Sequence, residues 1–160
     1  MVNSPIVRGA SLMKLGCPLI LGVLLVACGQ VRTPEKETEA IKQTLFSFFD
    51  AISNFDYAAL QSSCTSEYVL IEDGATWNID SLIHIMKGLQ ESKLRITYSF
   101  HNIDVRIEGN IAWMTYENVG ILSAETGADT LRWVESALFR KEQSTWRMAL
   151  LHSTRIRQRR

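Results

Sequence analysis

At 160 residues the chain is long enough for one domain with a proper core, and its 46% hydrophobic and 21% charged side chains are an ordinary globular balance. Basic and acidic residues number 17 each, so no basic excess points to nucleic acid. The sequence holds no CxxC pair, no metal-type Cys/His spacing and no nucleotide motif, so neither a metal nor another cofactor is expected.

The first 27 residues differ from the rest. Residues 13–28, "MKLGCPLILGVLLVAC", set a lysine before an apolar run that ends on a small residue and Cys28. A membrane-spanning helix needs about 20 apolar residues, and this run is shorter, so it reads as a secretory signal. Met13-Lys14 begins a complete signal by itself, which leaves Met1 or Met13 as the start. "LVAC" (Leu25 to Cys28) resembles the lipobox of bacterial lipoproteins. That resemblance implies cleavage before Cys28, lipid on its thiol, and a membrane-anchored protein of the cell envelope facing the periplasm or the exterior. Removing residues 1–27 takes Arg8, Lys14 and no acid, which leaves a net charge of −2. Cys17 leaves with the signal and Cys28 carries lipid, so Cys64 is the one free thiol and is expected as a small buried hydrophobe.

"GQVRTPEKE" is a tether. Thr33 and Pro34 suit a helix N-cap and first helical position. Ile41, Leu45, Phe48, Phe49 and Ile52 then recur at helical spacing. "SNFD" breaks that helix, and Asp56 can cap a second one, "YAALQSSC". "YVLIEDG" reads as a short strand, followed by a third helix, "SLIHIMKG", capped by Asp80 and stopped by Gly88. His84 lies on this helix among Ile83, Ile85 and Met86 and is expected to be structural.

After Gly88 the period becomes that of strands. Leu94, Ile96, Tyr98 and Phe100 alternate with polar residues, and the parity then slips onto Ile103, Val105 and Ile107. A bulge at His101-Asn102 accounts for the slip. "EGN" turns into "IAWMTYENVGIL", apolar on both faces and hence expected to be covered on both. "SAETGADT" reads as a loop, followed by strands over 131–141 and 146–156. Three N-terminal helices packed on a curved, mainly antiparallel sheet make an α+β fold, a cone with a pocket at its open end. Residues 28–37 are the lipidated cysteine and tether, 38–157 the domain and 158–160 a basic tail.

"FFDAISNFDYAALQSSCTSEYVLIEDG", "RWVESALFRK" and "STWRMALLHST" resemble the nuclear-transport-factor-2-like superfamily, closest to its SnoaL-like and calcium/calmodulin-kinase-association-like branches. The resemblance covers about residues 38–157 and implies a cystatin-like α+β roll. It leaves three functions open: a small-ligand binder, a cofactor-free isomerase, dehydratase or cyclase, and a dimerising interaction domain. Likeness to ketosteroid isomerase within that superfamily implies Glu72 at the position of the base and Glu135 near the second acid. The tyrosine that this mechanism needs falls on Phe48, which has no hydroxyl to donate.

The last hairpin suggests a second couple. A loop of the pair Gln143-Ser144, or of the four residues Glu142 to Thr145, sets Lys141 opposite Trp146 and Phe139 opposite Met148. Carried on without interruption, that register pairs Ala137 with Leu150 and Glu135 with His152. On a face with Trp133 and Phe139, such a pair is either an acid–base couple or a scaffold contact. Trp77, Tyr98, Tyr116 and Trp133 are candidate walls for a small apolar or aromatic ligand, with Trp77 placed after the turn "EDGAT" and outside any strand. Glu135, His152 and Glu72 are thus the candidate catalytic residues.

Overall fold

The computed structural model describes residues 33–156. The expected signal, Cys28, the start of the tether and the basic tail lie outside the described residues.

Helix α1, Pro34–Asn54, begins as the sequence predicts, with Thr33 capping the backbone N–H of Lys36. All five residues of its apolar stripe are buried. Phe55 ends it in the left-handed region at φ 57°. Asp56 caps α2, Tyr57–Ser63, by accepting from Ala59 N–H at 2.9 Å. Strand β1, Cys64–Glu72, starts earlier than predicted. Asp73 and Gly74, both at positive φ, then fold the chain back into β2, Ala75–Trp77. A two-residue Asp-Gly turn is the strongest short hairpin signal, so Trp77 lies in a strand and not in the expected loop.

Helix α3, Ile79–Glu91, is capped by Asn78 instead of Asp80 and passes through Gly88 to end at Ser92. Glycine inside a helix costs about 1 kcal/mol. Half-buried Leu89 follows it on the same face as Leu82 and Met86 and lines the cavity with them. His84 points to solvent and is no part of the core.

The sheet then forms from β3, Arg95–Glu108, β4, Ile111–Ala124, β5, Gly127–Glu142, and β6, Thr145–Arg155. Its order is β2-β1-β6-β5-β4-β3, antiparallel except where β1 runs parallel to β6. The expected bulge in β3 is present between His101 and Asp104. Asn102 takes φ 54° there and donates to Glu117 at 2.9 Å. The expected loop at 123–130 is instead a tight turn, because Ala124 already pairs with Gly127. Backbone hydrogen bonds carry that ladder beyond the core even though its side chains are polar.

One face of β4 is buried through Ala112, Met114, Tyr116 and Asn118. Its other face leaves Trp113 and Ile121 in solvent, so the strand is covered on one side only. Helix α1 lies across the inner face of β3 and β6. Glu37 fastens its first turn to the last hairpin, accepting from Lys141 Nζ at 2.7 Å and from Trp146 Nε1 at 2.6 Å. The result is the expected α+β roll, three helices on a curved sheet.

Candidate functional site

A cavity of about 180 Å³ lies between α1, α3 and the sheet. Phe48, Phe49 and Ile52 come from α1, and Leu82, Met86 and Leu89 from α3. Trp77, Tyr98 and Trp133 supply aromatic wall from three strands. The floor is polar. Glu72 of β1 pairs with Ser153 of β6, Ser153 with Glu135 of β5, and Glu135 with Tyr116 of β4. One row of inward side chains therefore crosses four strands. Neighbouring strands lie about 4.8 Å apart, which sets the backbones of Glu72 and Glu135 about 10 Å apart.

Glu135 is only 4% exposed. Its carboxylate accepts from Ser153 Oγ at 2.7 Å and from Asn118 Nδ2 at 3.1 Å. Burial pushes its pKa above the usual 4.5, and the charge of Glu72 adds to that rise. The hydrogen bonds from Ser153 and Asn118, with the nearby Tyr116 hydroxyl, pull it back. Glu72 is half-buried and raised as well, first by burial and then by the charge of Asp73. The Trp133 indole N–H and Arg155 oppose that rise. Nε1 of Trp77 and Oδ1 of Asn118 are buried without a hydrogen-bond partner. Buried polar groups are normally paired, and both of these residues line the cavity.

The predicted couple of Glu135 and His152 does not form. The turn is the shorter of the two expected loops, Gln143-Ser144, and Lys141–Trp146 and Phe139–Met148 pair as expected. The register then shifts between Phe139 and Leu138, which faces Leu150 and leaves Ala149 as an extra residue. Ala137 consequently meets Leu151, and Glu135 meets Ser153. A one-residue slip turns every later side chain to the opposite face. His152 therefore stands on the outer face, exposed and across from Ser136.

Tyr116 is also displaced from its expected place. It is buried behind Glu135 and against Phe100 at 5.8 Å, and does not line the cavity. Asn118 and Ser153 escaped the sequence reading. Asn118 follows from the period-2 pattern of β4, which puts every second residue from Ala112 on the inner face. Ser153 depended on the bulge. Cys64 is buried as expected, and burial pushes its thiol up to about 12.

A family model described as SnoaL-like domain matches residues 41–155. The chain belongs to the SnoaL-like domain family. It thereby falls within the nuclear-transport-factor-2-like superfamily. No curated protein matches it in sequence. This SnoaL-like domain superposes on a protein of unknown function from Mycobacterium tuberculosis with TM-score 0.72 and 16% identity, over 82% of this chain and 79% of that one. A putative dehydratase of the NTF2-like family from Streptomyces avermitilis gives 0.70 and 13%, over 79% and 100%. The association domain of CaMKII from C. elegans gives 0.65 and 21%, over 75% and 96%. Identities this low establish the common fold, and one SnoaL-like fold serves many purposes.

Proposed function

We propose that this SnoaL-like domain binds a small, largely apolar molecule and is held at the bacterial cell envelope by lipid on Cys28. The cavity carries the reading: apolar and aromatic walls, a polar floor, and two lining residues with buried polar atoms that lack partners. Its 180 Å³ compare with the ~150 Å³ of an apolar cavity that holds benzene, so one ring with a short substituent fits. Native mass spectrometry of the purified protein, with a thermal-shift screen of single-ring compounds, tests it. Retained or stabilising small molecules are expected, and an empty protein that no compound stabilises would sink the reading.

One observation favours cofactor-free acid–base catalysis as the alternative. Glu72 and Glu135 face one cavity and both have raised pKa values, which suits proton transfer nearer neutrality. Phe48 lines the same cavity without a hydroxyl, so a developing enolate would lack the donor that steroid isomerisation needs. A compound that is bound and returned unchanged in the presence of wild type would exclude the enzyme.

Dimerisation is the third reading, supported by Trp113 and Val134 on the outer sheet face, 44% and 50% exposed. Monomer alone at tens of micromolar in analytical ultracentrifugation, above the micromolar range of weak interfaces, would remove it.

A further inference from the structure

We infer that the cavity selects a small amphipathic amine, its ammonium group held among Glu72, Glu135 and Asn118 and its apolar body against the aromatic wall. This rests on the reading of the cavity as a ligand site and names the chemistry that the site would take.

The charges inside the cavity are one-sided. Glu72 and Glu135 line it, and among the described residues no lysine, arginine or histidine does. Asp73 lies beside Glu72 and adds to the negative charge. Arg155 acts on Glu72 from outside the lining. The hydrogen bonds that reach Glu135 come from a neutral hydroxyl and a neutral amide. Buried charge is costly unless an opposite charge meets it, and no such charge is built into this site.

Asn118 gives an independent pointer. It is 1% exposed, lines the cavity and donates its Nδ2 to Glu135. The reverse amide orientation would set oxygen against carboxylate, so the bond commits Nδ2 and leaves Oδ1 as the unpartnered atom. Beside the Ser153 hydroxyl, the polar lining thus offers two carboxylates and one amide oxygen as acceptors. A primary ammonium offers three N–H donors. The π faces of Trp77, Tyr98 and Trp133 in the same wall favour a cation further.

The competitors fit less well. A carboxylic acid would set its own negative charge against Glu72 and Glu135. A neutral alcohol could satisfy Asn118 Oδ1 but would leave both carboxylates uncompensated. Trp77 Nε1 is an unpartnered donor, so an oxygen on the amine's apolar part would add to the fit.

The test titrates the full chain, in nanodiscs of neutral lipid near pH 7, with three compounds of one shape: 2-phenylethylamine, 2-phenylethanol and phenylacetate. Calorimetry and tryptophan fluorescence follow binding. The amine is expected to bind about tenfold or more tighter than the alcohol, the scale of one charge-assisted hydrogen bond, with the acid weaker still. Glu135→Gln and Glu72→Gln should each abolish the amine's advantage while the alcohol still binds. Should Glu135→Gln fail to fold, the half-buried Glu72 carries the test alone. If the alcohol or the acid equals the amine on wild type, the amine inference falls and the ligand site stands. An amine preference that survives both glutamine variants overturns the assignment to these carboxylates. If none of the three binds, the ligand-site reading falls as well.

Discussion

Glu135 is a carboxylate inside a wall of aromatic and aliphatic side chains, and two short hydrogen bonds only partly offset its loss of water. A carboxyl whose native pKa is raised holds its proton more tightly in the folded than in the unfolded state. The stability that it contributes is complete below the ordinary value of 4.5 and is lost as pH climbs through the raised native value. Glu72 acts in the same direction. The melting temperature of wild type should therefore fall as pH rises above about 4.5. Glu135→Gln should flatten that fall, because a glutamine can donate to the unpartnered Asn118 Oδ1 after one amide turn and still accept from Ser153. Near neutrality the variant should gain about 1 kcal/mol, about 4 °C in Tm. Melts of both proteins across pH 4 to 8, bracketing the carboxylate range, check this; parallel curves would contradict it. Ser153→Ala removes the 2.7 Å bond and should cost about 1–2 kcal/mol, with the slope above pH 5 steepened as the Glu135 pKa rises further.

At the scale of the strand, the extra residue Ala149 decides what β6 presents to the cavity. It sends Ser153 in and His152 out. His152→Ala should consequently stay within about 0.5 kcal/mol of wild type and leave any ligand affinity unchanged, as chemical denaturation and calorimetry would show. A loss of binding would mean that the outer face communicates with the cavity. Strand β4 contributes a different device. A Cβ placed on Gly120 would stand 2.9 Å from the ring of Trp133 and 3.3 Å from Ile96. The missing side chain lets the indole lie down on the strand and form cavity wall. Gly120→Ala should push Trp133 aside and cost about 1–3 kcal/mol, with a shifted tryptophan emission. An unmoved emission would show that the ring has room that the packing denies.

For the whole molecule, attachment and fold are separable. Among the described residues no helix is long and apolar enough to cross a membrane. The proposed anchor rests on Cys28 and its "LVAC" context. Cys28→Ala should release the protein from membranes while its melting temperature stays unchanged, since the core runs from Ile41 to Leu151. Persistence with membranes after a carbonate wash would refute the lipid anchor. The cavity draws its walls from α1, α3 and all six strands, so no single hairpin or helix could bind without the rest.

Periodicity and caps were enough for much of this. The stripe from Ile41 to Ile52, the caps Thr33 and Asp56 and the slip at His101-Asn102 are local patterns, and local sterics and hydrogen bonding produce them. The resemblance placed Glu72 and Glu135, and both line the cavity. The Asp73-Gly74 hairpin was legible too, through its dipeptide, but the run "YVLIE" hid it by reading as an isolated strand. The partner of Glu135 was not legible. Register carries outward from a turn only until a strand gains a residue, and nothing local to "WRMALLHST" marks Ala149 as that residue. Packing marks it: Leu151 and Ser153 are buried where an unbroken ladder would have put Leu150 and His152. Sequence thus determined the three helices, the four long strands and which carboxylates are candidates. Tertiary structure decided the face on which each side chain of β6 lies, because a side-chain period of two turns one inserted residue into a reversal of inside and outside.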